Sequence, residues 1–159
     1  MTRIDKIINN SEYKDYMRKI EEAEINRRFC LHGLNHALDV ARICHIINLE
    51  EGLSYDKDMI YAMALLHDIG RCLEYEKGTP HHEAGVIIAE DILAQADFST
   101  EEIKLICEAI ASHKSLSEEK KDLKYMLFKA DKLSRNCFAC EVYDECYWKE
   151  ELKNKGITY

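Results

Sequence analysis

Apolar residues recur along this chain at helical spacing. The stretch from Leu34 to Glu50 places Val40, Ile43 and Ile47 on one face and stops before Gly52, a residue suited to a helix C-terminal cap. From about Asp56 a second stripe of Ile60, Met63 and Ala64 runs to His67 and breaks at "DIG". Thr79 and Pro80 announce another helix, with Thr79 as the cap and Pro80 at the first helical position, and it reaches about Ala96. Ser99 and Glu102 have capping-box spacing and open a helix through Ser112. A helix from about Asp122 carries Leu127, Phe128 and Asp131, an amphipathic segment opens the chain, and Cys140 to Asn154 reads as a last helix. The pattern predicts an all-α protein of about six or seven helices, one compact domain over residues 1–159 with a Cys-containing helical tail at about 137–159.

Composition agrees with this reading. Six glycines and one proline among 159 residues are few turn formers, and 47% of residues are hydrophobic, enough for a core without staples. The formal charge of −8 argues against a nucleic-acid polymer as partner, because no basic footprint stands out along the chain. A small anionic substrate would need local cations or a metal. No apolar run approaches a membrane span and the opening "MTRIDKIINN" is too charged for a secretory signal, so a cytoplasmic protein without membrane contact is expected. Seven cysteines without framework spacing fit reduced thiols or metal ligands better than disulfides. Nothing in the pattern sets the oligomeric state.

The candidate chemistry lies where polar groups interrupt apolar stripes. His36 shares a face with Val40 and Ile43, His67 lies over Ile60, Met63 and Ala64, His113 ends the stripe of Ile103, Ile106 and Ile110, and Asp131 follows Leu127 and Phe128. Each points toward the core. An unpartnered buried imidazole or carboxylate costs several kcal/mol against a total stability of roughly 5–15 kcal/mol. A shared cation resolves the conflict for His36, His67, the adjacent Asp68, His113 and Asp131, and this donor set suits divalent Fe, Mn, Zn or Ni. His45, nine residues after His36, falls on the opposite face and reads as solvated.

The segments "HALDVAR" from His36, "LLHDIGR" with His67 and Asp68, and "KADKLSR" with Asp131 resemble the HD superfamily of metal-dependent phosphohydrolases. The resemblance implies that His36, His67, Asp68 and Asp131 bind one metal. Branches of that superfamily add two histidines and a second metal bridged by the HD aspartate. Here "PHHEAG" and "IASHK" stand in the matching order. His113 fits the second added position. Periodicity leaves His81 and His82 open for the first; family spacing, with the ligand four residues before a small residue such as Gly85, prefers His81. His82 is then a neighbouring or substrate-contacting group, and His32 is either a phosphate or ligand-supporting contact or an ordinary polar residue ahead of its helix.

The resemblance also implies a hydrolytic mechanism in which a water held between two metals flanking Asp68 loses a proton and attacks phosphorus. Arg71 and Lys114, and then Lys132 and Arg135, are the cations that could steady the phosphate, although each also reads as a solvated surface charge. The implied substrate is a small phosphate ester, with a nucleotide as one candidate. Two other functions fit the same residues: a di-iron oxygenase of HD type, and a metal- or nucleotide-binding sensor without turnover. Cys137, Cys140 and Cys146 form a C-x2-C-x5-C pattern outside this signature, and Cys30 is the best fourth member of a zinc or iron–sulfur site; buried thiols packing as apolar groups are the alternative. Cys44, Cys72 and Cys107 read as core thiols.

Overall fold

The computed structural model describes residues 1–112 and 120–159. Local capping sets the helix boundaries. Thr2 and Asp5 form a capping box that opens α1 (Arg3–Asn9). Asn10 closes that helix and, with its side-chain oxygen on the amides of Glu12 and Tyr13, opens α2 (Ser11–Ala23). The amphipathic opening is therefore two helices. The next helix, α3 (Leu34–Glu50), ends as expected just before Gly52, whose φ of +65° is the left-handed conformation that glycine accommodates. Asp56 caps α4 (Lys57–Leu66).

A short helix, α5 (Arg71–Lys77), comes after the "DIG" turn and leaves no trace in the periodicity because it spans barely two turns. Pro80 occupies the cap of α6 (His81–Gln95), so the helix starts one residue later than the Thr79/Pro80 signal suggests. The Ser99/Glu102 pair opens α7 (Thr100–Ser112) with reciprocal bonds of 2.8 and 3.3 Å, and Asp122 caps α8 (Leu123–Leu133). Eight α-helices and no strand are present among the described residues.

The C-terminal segment corrects the expectation of a helical tail. It contains only three 3-10 turns, Cys137–Ala139, Tyr143–Glu145 and Glu150–Leu152. Its composition explains the difference: "CEVYDECYW" combines β-branched, aromatic, Asp and Cys residues of modest helix propensity, and it lacks a continuous apolar stripe that packing could reward.

The position of α4 organises the rest. Met59, Ile60, Ala62, Met63, Ala64, Leu65 and Leu66 are all buried, so this helix is enclosed on every side, chiefly by α3 and α7 and also by α1, α6 and α8. A helix buried all round carries the next residues of the chain into the interior, and those residues are His67 and Asp68. Both are buried, as is Ile69. Stripes at positions i, i+3, i+4 and i+7 on α6 (His81, Ala84, Gly85, Ile88) and on α8 (Leu123, Met126, Leu127, Ala130) close the core beside them.

Gly70 fixes how α6 approaches that turn. A Cβ at Gly70 would lie 2.0 Å from the His81 carbonyl oxygen and 2.4 Å from the Gly85 amide nitrogen. Both are backbone atoms, so only glycine permits the contact. Gly70→Ala is expected to destabilise the protein by on the order of 3 kcal/mol, because backbone rather than a flexible side chain must move. Urea unfolding of the variant against the native chain measures this, and equal midpoints would refute the packing account.

Candidate metal centre

His36, in the first turn of α3, His67 and Asp68, beyond the end of α4, and Asp131, near the end of α8, meet in the interior. One ligand atom from each lies within 4.8 Å of all the others, and all four residues are buried. His36 Nε2 stands 3.2 Å from Asp131 Oδ1 and 3.6 Å from Asp68 Oδ2. His67 Nε2 stands 3.0 Å from Asp68 Oδ2 and 3.8 Å from Asp131 Oδ1.

Hydrogen bonds on the far side of each ring assign the protons. His67 Nδ1 lies 2.7 Å from the Ala64 carbonyl, which can only accept, so Nδ1 donates. The Ser134 hydroxyl donates to the Asp131 carbonyl at 2.8 Å and therefore accepts from His36 Nδ1 at 3.3 Å. His81 Nδ1 donates to Glu74 Oε2 at 2.9 Å. In each neutral ring Nε2 is then a lone pair, and each lone pair faces a carboxylate oxygen: His81 Nε2 is 3.7 Å from Asp68 Oδ1. Acceptors converging on acceptors repel unless a positive charge sits among them. A divalent cation fits this donor set of imidazoles and carboxylates, with the outer hydrogen bonds orienting the rings.

Without such an ion a proton does the same work. Burial opposes charge on His67, but the Asp68 charge and the bonds to Asp131 and Asp68 outweigh it and lift this group to about 10. Burial likewise opposes ionisation of Asp68 and Asp131, yet the neighbouring imidazoles, Arg71 and Lys132 hold both well below the usual carboxylate range. Arg71 Nε donates to Asp68 Oδ1 at 2.9 Å and Lys132 Nζ to Asp131 Oδ2 at 2.6 Å, so each aspartate gives one oxygen to a cationic side chain and turns the other inward.

The remaining candidates separate clearly. His81 is buried and turned toward Asp68, with burial and Arg71 lowering its basicity, whereas His82 is half-buried near Glu83. His113 and Lys114 lie outside the described residues. His32 is buried, its ring edge-on to His36 at 5.9 Å, and bonded through Nδ1 to Glu24. Glu24 also accepts from the His32 amide at 2.8 Å and the Tyr75 hydroxyl at 2.5 Å. Arg135 donates to the Leu31 carbonyl at 2.5 Å. His45 is not solvated as its helical position suggested; it is half-buried with its ring edge-on to Tyr61 at 6.3 Å. The core thiols Cys44, Cys72 and Cys107 are buried as expected.

The centre opens into a cavity of about 620 Å³. Asp131, His32 and His81 stand at its base, Arg71, Lys132 and Arg135 on its sides, and Phe29, Phe128, Tyr147 and Trp148 form aromatic walls. Lys132 Nζ lies 4.3 Å from the centre of the Trp148 ring, so one ammonium touches both Asp131 and the aromatic wall. Sequence reasoning misses Glu24, Glu74, Tyr75 and Ser134, because a buried glutamate within "EEAE" or a serine within "KLSR" carries no periodic signal. It misses the aromatic residues of the C-terminal segment because the turns that bring them to the cavity have no regular period.

Burial lowers His32 to about 4 against the opposing bond to Glu24, while the bonds from His32 and Tyr75 overcome burial and lower Glu24 to about 2. Both groups bind fewer protons folded than unfolded, so both contributions are present at neutral pH and are lost on acidification. The His32 contribution, up to about 3 kcal/mol, is lost as pH falls from 6.5 toward 4. Urea unfolding of chelator-treated protein should show a steep loss of stability across that window and a shallower one in His32→Gln; identical slopes would refute it.

Comparison with known proteins places this geometry. The family model described as HD domain matches residues 33–136. An uncharacterized protein of Clostridium beijerinckii is 43% identical over 159 residues, covering 100% of each chain. Ribonuclease Y of Oleidesulfovibrio alaskensis is 27% identical over 122 residues, which are 77% of this chain and 22% of that protein. The crystal structure of a predicted HD superfamily hydrolase from an uncultured Thermotogales bacterium shares the fold, with a TM-score of 0.62 at 24% identity over 89% of this chain and 81% of that one.

Proposed function

The chain belongs to the HD domain family, and on that premise we propose that it is a metal-dependent phosphohydrolase acting on a small phosphate ester, with a nucleotide the substrate class its cavity suits best. The observation that carries the reading is the buried His36, His67, Asp68 and Asp131 cluster, whose Asp131 lines a cavity walled by cationic and aromatic side chains. A divalent ion bound there would supply a Lewis acid and an activated water for attack on phosphorus.

The chain's own residues do the rest. Arg71 and Lys132 already hold one oxygen of each aspartate and stand on the cavity wall, so both can also meet phosphate oxygens. His32, held through Nδ1 by Glu24 and kept neutral by burial, lines the same cavity and is suited to accept a proton or hydrogen bond there. Phe29, Phe128, Tyr147 and Trp148 suit the flat face of a base. Asp68 turns one oxygen toward His36 and His67 and the other toward His81, which supports a second ion on the His81 side, with His113 as the remaining candidate ligand.

The net charge of −8 favours a small substrate over an RNA polymer, because the cations that meet phosphate are confined to the cavity. Among the described residues no helix is long and apolar enough to cross a membrane. All seven cysteines are free thiols, which suits a cytoplasmic enzyme.

The test is a phosphate-release screen across nucleotides, dinucleoside polyphosphates and small esters with Mn, Fe, Zn or Ni added in turn. Metal-dependent release is expected, falling about 1000-fold or more in Asp68→Ala; undiminished release in that variant would refute the site. Trp148→Ala should raise KM for a nucleotide about tenfold with little change in kcat, and should leave small non-aromatic esters unaffected. Equal effects on both substrate kinds would refute base stacking.

A further inference from the structure

The C-terminal segment forms a wall of the cavity and yet has almost no core of its own. Between residues 137 and 159 only Cys137 and Lys153 are buried, and no α-helix is present. Segments this poor in buried apolar surface hold a fixed shape when a disulfide or a metal staples them. No disulfide is present: Cys30, Cys137, Cys140 and Cys146 are all free.

The backbone brings these thiols to one place. Successive bonds run from the Cys140 amide to the Cys137 carbonyl (3.1 Å), from Tyr143 to Cys140 (3.2 Å) and from Cys146 to Tyr143 (3.2 Å). Each closes a three-residue turn, and the chain is extended at Cys140 and Cys146 where the 3-10 turns end, so the segment folds back on itself in tight steps. The C-x2-C-x5-C spacing is the sequence trace of that geometry. Cys30 arrives from the loop ahead of α3. Arg28 pairs with Glu145 at 2.8 Å, and the Phe29 and Tyr147 rings meet edge to face at 6.1 Å, so these contacts bracket Cys146 and hold the two residues just ahead of Cys30 against it.

All four cysteines line a second cavity of about 20 Å³. That is room for one water-sized body and too little for a polynuclear cluster. Burial raises the Cys30 thiol, Arg135 opposes the rise, and the neighbouring Cys137, Cys146 and Cys140 each add to it, so Cys30 stands close enough to the other three to feel them. Among the described residues only the His/Asp centre holds three or more ligand atoms within 4.8 Å of one another; the four thiols line their cavity at wider spacing, so an ion there has to draw them together.

We propose that Cys30, Cys137, Cys140 and Cys146 bind a single thiophilic ion of the zinc type, which gathers them as thiolates and staples the C-terminal segment to the loop before α3. Binding releases the thiol protons to solvent and leaves the oxidation state of sulfur and metal unchanged. The ion's role is structural: it fixes the backbone on which Tyr147 and Trp148 stand, and it is independent of phosphohydrolase chemistry at the His/Asp centre.

The full-length protein, purified anaerobically, is loaded with cobalt(II) and read by absorption. Tetrahedral thiolate coordination gives an intense sulfur-to-cobalt charge-transfer band that the His/Asp centre cannot produce. The band is expected in the native chain and in Asp68→Ala, and it should weaken in Cys140→Ser, whose exposed side chain lets the substitution stand without disturbing the packing. Zinc analysis of Asp68→Ala should show about one equivalent per chain. A chelator should remove that zinc about 100-fold more easily from an Asp68→Ala/Cys140→Ser double variant. A native cobalt protein without the thiolate band, zinc retention unchanged by Cys140→Ser, or iron with acid-labile sulfide in place of zinc would each overturn the proposal.

Discussion

Acceptors facing acceptors in a dry interior are the constraint on which the site depends. Three imidazole lone pairs and two carboxylates converge beside the most deeply buried helix of the fold, and their outer hydrogen bonds leave the rings no freedom to turn away. Such an arrangement is stable only with positive charge at its centre. The proton carried by His67 in the ion-free state is the minimal form of that charge, and a divalent cation is the form this donor set of imidazoles and carboxylates can also hold. The Ala64 carbonyl, Ser134, Glu74, Arg71 and Lys132 act as a surrounding frame that aims lone pairs and carboxylate oxygens inward.

The place of α4 explains why a helix would end in His67 and Asp68 instead of leucine. Its sides are apolar all round, so packing on α3 and α7 supplies the stabilisation that an interior ion site consumes. Gly70 then lets the first turn of α6 press its backbone against the same turn, and that contact sets His81 beside Asp68. Stability and site geometry are thus written into adjacent residues of one short stretch.

Much of this is legible in the sequence, and the reason is periodicity. Helices α3, α4, α6, α7 and α8 announce themselves because their apolar stripes are long enough to average over single residues, and among the described residues the polar groups that break or end the stripes of α3, α4 and α8 are the ones that meet. The choice between His81 and His82 lies beyond periodicity, since both flank the apolar face; the backbone at Pro80 and Gly70 turns His81 inward. Glu24 and Tyr75 are invisible in the sequence because their roles arise from contacts between α2, α5 and the loop before α3. The tail departs from the helix its sequence suggests because its order comes from turns and side-chain contacts, which leave no stripe.

The matched HD domain region stops at residue 136, while Tyr147 and Trp148, which wall the cavity, lie beyond it. The His/Asp cluster and the Tyr147–Trp148 part of the cavity wall therefore sit on separate lengths of polypeptide, joined at the Lys132 ammonium that touches both. A change confined to the tail would reshape that wall and leave the four buried ligand side chains where the helices put them.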